Sequence, residues 1–267
     1  DSKLLNINHN NLKIRILNTI NTLSGKRNYG IKKCNGEVIV CIDDDCLPKD
    51  GFLISHYNVN KNINKPTIFS GQEIISPINK KPKCFFLFRT QNISIADSKK
   101  NKNYYEKIFQ SRAMHFSFAA KYKDKIPLFN EKVKGYGWED CIFFKECIVS
   151  GIDILEVQSF ILHKLEETPQ IFFRKQILFG YWSYFAIIKL NFFDFNKSLI
   201  FTGKSIYLIL NIIYPIVKIL YYLLYKINFL ISYKLGFYTY FLQRLVYYSS
   251  IILGLSSSLN NSDKYIF

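Results

Sequence analysis

The first uninterrupted apolar run of the chain is Val38-Ile39-Val40-Cys41-Ile42. No polar residue alternates within it, so it predicts a short strand buried on both faces. It runs directly into Asp43-Asp44-Asp45, and Cys46-Leu47-Pro48 follows. Upstream, Leu12-Lys13-Ile14-Arg15-Ile16-Leu17 alternates and predicts a strand. The segment from Ser24 to Ile31 opens a helix that stops at Asn35-Gly36, with Lys26 and Arg27 just ahead of it. The order is then strand, helix, strand, acidic turn. That is an α/β unit whose acidic turn sits at the carboxyl end of a strand, the edge where open α/β sheets bind ligands.

Further along, residues 50–60 predict a helix, Thr67 to Ile75 a strand, and Met114 to Ala120 another. Residues 76–83 read as a Pro/Lys loop and residues 97–107 as a highly polar segment. A second informative stretch is Gly135-Tyr136-Gly137-Trp138-Glu139-Asp140. Its glycines flex a loop that delivers two carboxylates to the first turn of a helix running from Asp140 to Ser150. Gly151 stops that helix, and residues 151–157 predict a strand leading to His163. A long helix follows, from Gln170 to about Leu190.

The last quarter changes character. Between Ser198 and Asn261 there is no Asp or Glu, and Lys204, Lys218, Lys226, Lys234 and Arg244 punctuate an apolar, tyrosine-rich run. Basic, aromatic, acid-free helices suit an anionic membrane surface, and spanning or surface-lying helices both fit the pattern. A buried helical subdomain is the other possibility. The whole chain carries a net charge of +16, which favours anionic partners. Nucleic acid is not the expected one, because the positive charge lies among apolar helices and not on a polar face. The six cysteines show no C-x-x-C spacing, which suits a reduced, cytosolic compartment.

Two places carry candidate chemistry. Three adjacent carboxylates at a strand end repel one another, and a hard divalent cation that also holds a substrate's phosphates is one reason to keep them together. A solvated acidic turn is the alternative. Glu139 and Asp140 can cap a helix. Beside Trp138 they also read as a general base next to a sugar-stacking wall.

Taken together, Arg27-Asn28-Tyr29-Gly30, Asp43-Asp44-Asp45 and the Gly135-to-Asp140 loop resemble motifs of family 2 glycosyltransferases with the GT-A fold. Phe129-Asn130-Glu131 resembles a further acceptor-side element, and His163 falls where many members place a histidine. The resemblance implies an α/β, Rossmann-like nucleotide-sugar-binding domain followed by C-terminal membrane-associated helices. It implies inverting transfer from a nucleotide-diphosphate sugar to a hydroxyl of a glycan or lipid-linked acceptor, in cell-surface polysaccharide synthesis. On that basis Asp45 and His163 hold Mg²⁺ or Mn²⁺, and Arg27, Asp43 and Asp44 bind the donor. Asp140 is the base with Glu139 beside it, and Trp138 and Gly137 shape the acceptor site.

The expected organisation is a GT-A-like domain over residues 1–165, an amphipathic interfacial helix over 166–197, and a membrane-associated helical region over 198–267. The catalytic domain is expected to face the cytoplasm. The family's opening βαβ portion is not evident, so the domain is expected to be incomplete at its start. A metal-dependent nucleotidyltransferase and an inactive membrane-bound remnant are the competing expectations.

Overall fold

A computed structural model describes residues 17, 22–76, 114–164, 169–186 and 190, with a few positions between 212 and 252. Helix α1 is Leu23–Lys33, capped where the Thr22 hydroxyl accepts from the Gly25 amide at 3.1 Å. Strand β1, Val38–Ile42, leads through the acidic turn into β2, Cys46–Pro48. Helix α2 is Phe52–Lys61 and strand β3 is Thr67–Ser76. Strand β4, His115–Ala119, is followed by a 3₁₀ segment, Ala120–Lys125. Helix α3 is Glu139–Val149, β5 is Asp153–Lys164, and α4 is Pro169–Tyr184.

The strands form one mixed sheet in the order β1-β4-β3-β5-β2. β3 and β5 run parallel; the other pairs are antiparallel. All five residues of β4 are buried, because it has a strand on each side and a helix against each face. Strand alternation gives those faces different chemistry. Phe116 and Phe118 point toward α3, where Phe116 meets Phe143 and Phe144 at centroid distances of 5.5 and 6.3 Å. Phe129 lies flat on Phe143 at 4.0 Å, completing an aromatic cluster.

The opposite face of β4 is polar. Ser117 meets His56 Nδ1 at 2.7 Å and accepts from Asn60 at 2.8 Å, both from α2. His115 lies edge-on to His56 at 5.6 Å, and Phe52 covers both rings. Gly71 of β3 has no side chain because a Cβ there would lie 1.6 Å from His115 Nε2.

Several expectations need correction. β1 is not buried on both faces: Ile39 is buried, but Ile42 is 40% exposed, since β1 ends the strand order and only β4 pairs with it among the described residues. Lys26 and Arg27 lie inside α1 and not ahead of it. β5 continues well past Val157 to Lys164, because β3 pairs with it through that length. The strand expected at Leu12 to Leu17, the polar segment 97–107 and nearly all of 198–267 lie outside the described residues. No described helix is long and apolar enough to cross a membrane.

Burial holds both His56 and His115 at about 4, well below the ordinary histidine value; His115 also lowers His56. His115 gains a partial counterweight from a Ser159 backbone hydrogen bond and from Glu73. Between the ordinary value and about 4, the unfolded chain therefore binds more protons than the folded one. Stability should be flat above pH 6.5, fall as pH drops from 6.5 to about 4, and level off below with respect to these two groups. Denaturant midpoints measured across that window check it, and His56→Gln should make the decline shallower.

Candidate active site

The carboxyl end of β1 fixes Asp43. Its amide donates to Met114 O at 2.9 Å, and Cys46 N closes the turn onto Asp43 O at 3.3 Å. The Asp43 carboxylate meets Arg27, which reaches across from α1. Arg27 Nη2 donates to Asp43 Oδ1 at 2.9 Å, while Nη1 donates to Asp140 Oδ1 at 2.7 Å. One guanidinium thus joins the acidic turn to the first turn of α3. Its side chain is 11% exposed and lies over the Phe129 ring at 5.2 Å. Burial disfavours its charge, but Asp140 and then Asp43 more than offset that, so Arg27 stays protonated. Burial pushes the Asp43 carboxyl up, against the pull of Arg27.

The neighbouring Asn28 sets where Arg27 stands. Its amide donates to Phe129 O at 2.9 Å and to Glu131 Oε1 at 2.8 Å, and its Oδ1 accepts from Phe129 N at 2.8 Å. These bonds close a separation of about one hundred residues and tie α1 to the loop ahead of α3.

That loop is held from the other side by α4. Gly137 has φ of 95° and Trp138 has φ of 73°, a left-handed conformation that is costly for a residue with a side chain. A Cβ on Gly135 would lie 2.2 Å from Trp182 Nε1, and one on Gly137 would lie 2.7 Å from Phe179 Cδ2. Trp138 is 5% exposed; its ring stacks on Phe179 at 5.3 Å and its Nε1 donates to Ser183 Oγ at 2.8 Å. The expectation of an open stacking wall at Trp138 is therefore corrected: the left-handed turn points the indole into α4. Tyr136, 39% exposed, is the open aromatic of the loop, with Lys175 over its ring at 5.1 Å.

Glu139 and Asp140 follow in the first turn of α3. Glu139 is buried, and its Oε2 has no hydrogen-bond partner among the described residues. Burial, then the adjacent Asp140, push its carboxyl up to about 7.

A second cluster forms on the other side of the acidic turn. His163, near the end of β5, meets Glu73 Oε1 through Nδ1 at 2.5 Å and Asp45 Oδ2 through Nε2 at 3.1 Å. Burial opposes a charge on His163, yet Glu73 and Asp45 together raise its value. Cys46 Sγ donates to Asp45 Oδ1 at 3.6 Å. One ligand atom each from Asp45, Cys46 and His163 lies within 4.8 Å of the others, so these residues fit a divalent cation. Asp44 is exposed on the turn between the two clusters. Sequence reasoning did not single out Glu73, Cys46 or Asn28 for any role. Their adjacency comes from register and tertiary pairing, and only Cys46 carried a local hint, following the three aspartates.

Residues 3–119 match the family model described as Glycosyl transferase family 2. Over that segment the chain is similar to family 2 glycosyltransferases. Its mixed sheet with helices on both faces agrees with a GT-A-like α/β fold. The matched segment includes Arg27, Asp43 to Asp45 and Glu73; Glu139, Asp140 and His163 lie beyond it and join the site through the fold. No curated protein matches the chain.

Without Arg27, Asp43 and Asp140 lose the cation between them, with Glu139 adding its repulsion to Asp140. Arg27→Met should lower folding stability by about 2–3 kcal/mol, as expected for stranding partly buried charges. Adding Asp43→Asn should recover part of that loss by relieving repulsion. Chemical denaturation of the two variants checks this; equal stability of Arg27→Met and the parent would show that the bridge is incidental.

Proposed function

We propose that the protein is an inverting glycosyltransferase that moves a sugar from a nucleotide-diphosphate donor to a hydroxyl of a glycan or lipid-linked acceptor. The observation carrying this reading is the Arg27 bridge: one guanidinium holds the strand-end Asp43 and the helix-start Asp140 in one site. A donor-side carboxylate and a candidate base are thereby kept adjacent.

In this reading Asp43, Asp44 and Arg27 bind the nucleotide portion of the donor. Asp45 and His163 would hold Mg²⁺ or Mn²⁺. When bound there, the cation neutralises the departing diphosphate. Asp140 accepts the proton of the acceptor hydroxyl as that oxygen attacks the anomeric carbon. The bond from that carbon to the diphosphate oxygen breaks on the opposite face, the nucleoside diphosphate leaves with the bonding electrons, and the anomeric configuration inverts. Glu139, beside Asp140 in the first turn of α3, hydrogen-bonds the acceptor. Gly137 lets the backbone come close, and Tyr136 takes the stacking role first expected of Trp138.

We further propose that the protein works at a membrane with this domain on the cytoplasmic side, building a cell-surface polysaccharide. Two features support it. The run from Ser198 to Asn261 lacks acids. Among the described residues, Ile212, Ile216, Ile219 and Leu223 recur at helical spacing and are 70, 67, 62 and 54% exposed.

The test of the chemistry is nucleoside diphosphate release with donor binding measured alongside. Asp140→Asn should bind donor normally while turnover falls about 10²–10⁴-fold, the usual loss for a general base. Asp45→Ala should instead abolish cation-dependent donor binding. Near-parental turnover by Asp140→Asn would move the base elsewhere, and incorporation of nucleoside monophosphate into the product in place of nucleoside diphosphate release would favour a nucleotidyltransferase.

For the membrane, the full chain should sediment with anionic vesicles, and a chain ending near Asn196 should remain in the supernatant. High salt should release only part of it, because apolar burial adds to charge. Complete release by salt would reduce the contact to surface electrostatics.

A further inference from the structure

We propose that Cys46 is a thiolate ligand of the cation, so that Asp45, Cys46 and His163 form a mixed oxygen, sulfur and nitrogen set that selects a transition-metal dication over Mg²⁺. This rests on the cation site proposed above at Asp45 and His163 and extends it to the identity of the ion.

The sheet register makes the case. Cys46 is the Cα partner of His163 in the antiparallel β2–β5 ladder. Residues directly opposite in a ladder project to the same face with their side chains adjacent. Asp45 immediately precedes β2, so the turn delivers its carboxylate to the same place. Its Oδ2 is 3.1 Å from His163 Nε2, and its Oδ1 is 3.6 Å from Cys46 Sγ. One ligand atom of each residue lies within 4.8 Å of the others. Ligands bound to one transition-metal ion at ordinary bond lengths lie about 3.3–4.4 Å apart. Only small side-chain adjustments separate the present arrangement from ligation.

Glu73 supplies an independent sign. It pairs with Ile161 in the β3–β5 ladder, two residues before His163, so it shares the face of His163. Its carboxylate is 7% exposed and takes His163 Nδ1 at 2.5 Å. A carboxylate on one imidazole nitrogen fixes the tautomer and aims the other nitrogen, as in metal sites where an outer carboxylate orients a ligating histidine. Here the aimed nitrogen is Nε2, directed toward Asp45 beside Cys46.

The donor set then decides the ion. Mg²⁺ favours six oxygen ligands in near-ideal octahedral geometry. Thiolate and imidazole favour Zn²⁺ and its neighbours in the first transition row. Three protein ligands leave a position open, which the diphosphate oxygens of the donor would take. As the sulfur–metal bond forms, the thiol proton passes to solvent, and the cation offsets the negative charge gathered on the turn.

The test uses the full, metal-free chain titrated with Co²⁺ alone. A sulfur-to-cobalt charge-transfer band should grow in the near ultraviolet and saturate at one equivalent. Cys46→Ser should remove the band and weaken Co²⁺ binding by about tenfold or more; Glu73→Gln should keep the band with weaker binding. Equimolar Mg²⁺ should not displace Co²⁺. In the unaltered protein, saturating Co²⁺ should slow alkylation of Cys46 and Mg²⁺ should not, a measurement that needs no variant to fold. Calorimetric binding of Co²⁺ that depends on Asp45 but gives no band would overturn thiolate ligation and leave the cation site standing. A band that survives Cys46→Ser, or unchanged alkylation of Cys46 under saturating Co²⁺, would also overturn it. Failure of the parent to bind Co²⁺, Mn²⁺ or Mg²⁺ would remove the cation reading itself.

Discussion

The arrangement of the site depends on one buried cation, the guanidinium of Arg27. Asp43 arrives from one part of the chain and the adjacent Glu139 and Asp140 from another, and together they bring negative charge into a poorly solvated place. Only a planar fork can satisfy Asp43 and Asp140 together; a lysine ammonium is a point charge on a flexible stem. Helix α1 that carries it is held more by polar ties than by apolar burial. Its buried residues are Ser24, Gly25, Asn28 and Ile31, a single aliphatic side chain among them. The Asn28 bonds to Phe129 and Glu131 therefore fix the helix, and through it the guanidinium. Losing those bonds would release a charge-balancing group as well as a loop.

The sheet separates two kinds of interior. On the α3 side, Phe116, Phe118, Phe129, Phe143 and Phe144 pack as an aromatic body that gives α3 a rigid seat. Rigidity there sets where Glu139 and Asp140 begin. On the α2 side, His56, Asn60, His115 and Ser117 form a polar core with few apolar contacts. Such a network favours one arrangement of α2 on the sheet, since shifting it would strand buried polar atoms. The same choice makes this face sensitive to acid, while the aromatic face is indifferent to it.

Local chemistry was legible in the sequence; long-range pairing was not. The acidic turn after an apolar run and the paired acids after a glycine-flexed loop are contiguous signals, and the helix and strand types follow from periodicity. β5 appears short in sequence because Gln158-Ser159 interrupts its apolar run. In the fold Ser159 is buried and its backbone serves His115. Trp138 looks like a sugar platform when read beside its acids, but its positive φ turns it into the interior. The pairing of Arg27 with Asp43 and Asp140 could not be read locally, because those carboxylates lie 16 and 113 residues away. The pairing of Cys46 with His163 and the reach of Glu73 are facts of register, which composition does not encode.

Those long-range contacts also give Asp140 a mechanical connection to the C-terminal part of the chain. The loop ahead of Asp140 leaves no room for side chains at Gly135 and Gly137, because Trp182 and Phe179 of α4 fill that space. Gly180 on the same helix meets the backbone of Ile251 so closely that a Cβ would lie 2.0 Å from its carbonyl oxygen. Contact runs from Ile251 to α4, from α4 to the loop, and from the loop to Asp140 and Arg27. The loop meets α4 through rings against glycine backbone, and Gly180 meets Ile251 backbone to backbone, contacts that transmit a shift instead of absorbing it. A displacement of α4 would therefore move the loop that positions Asp140, and the geometry between Asp140 and Asp43 is tied to how the C-terminal part of the chain is seated.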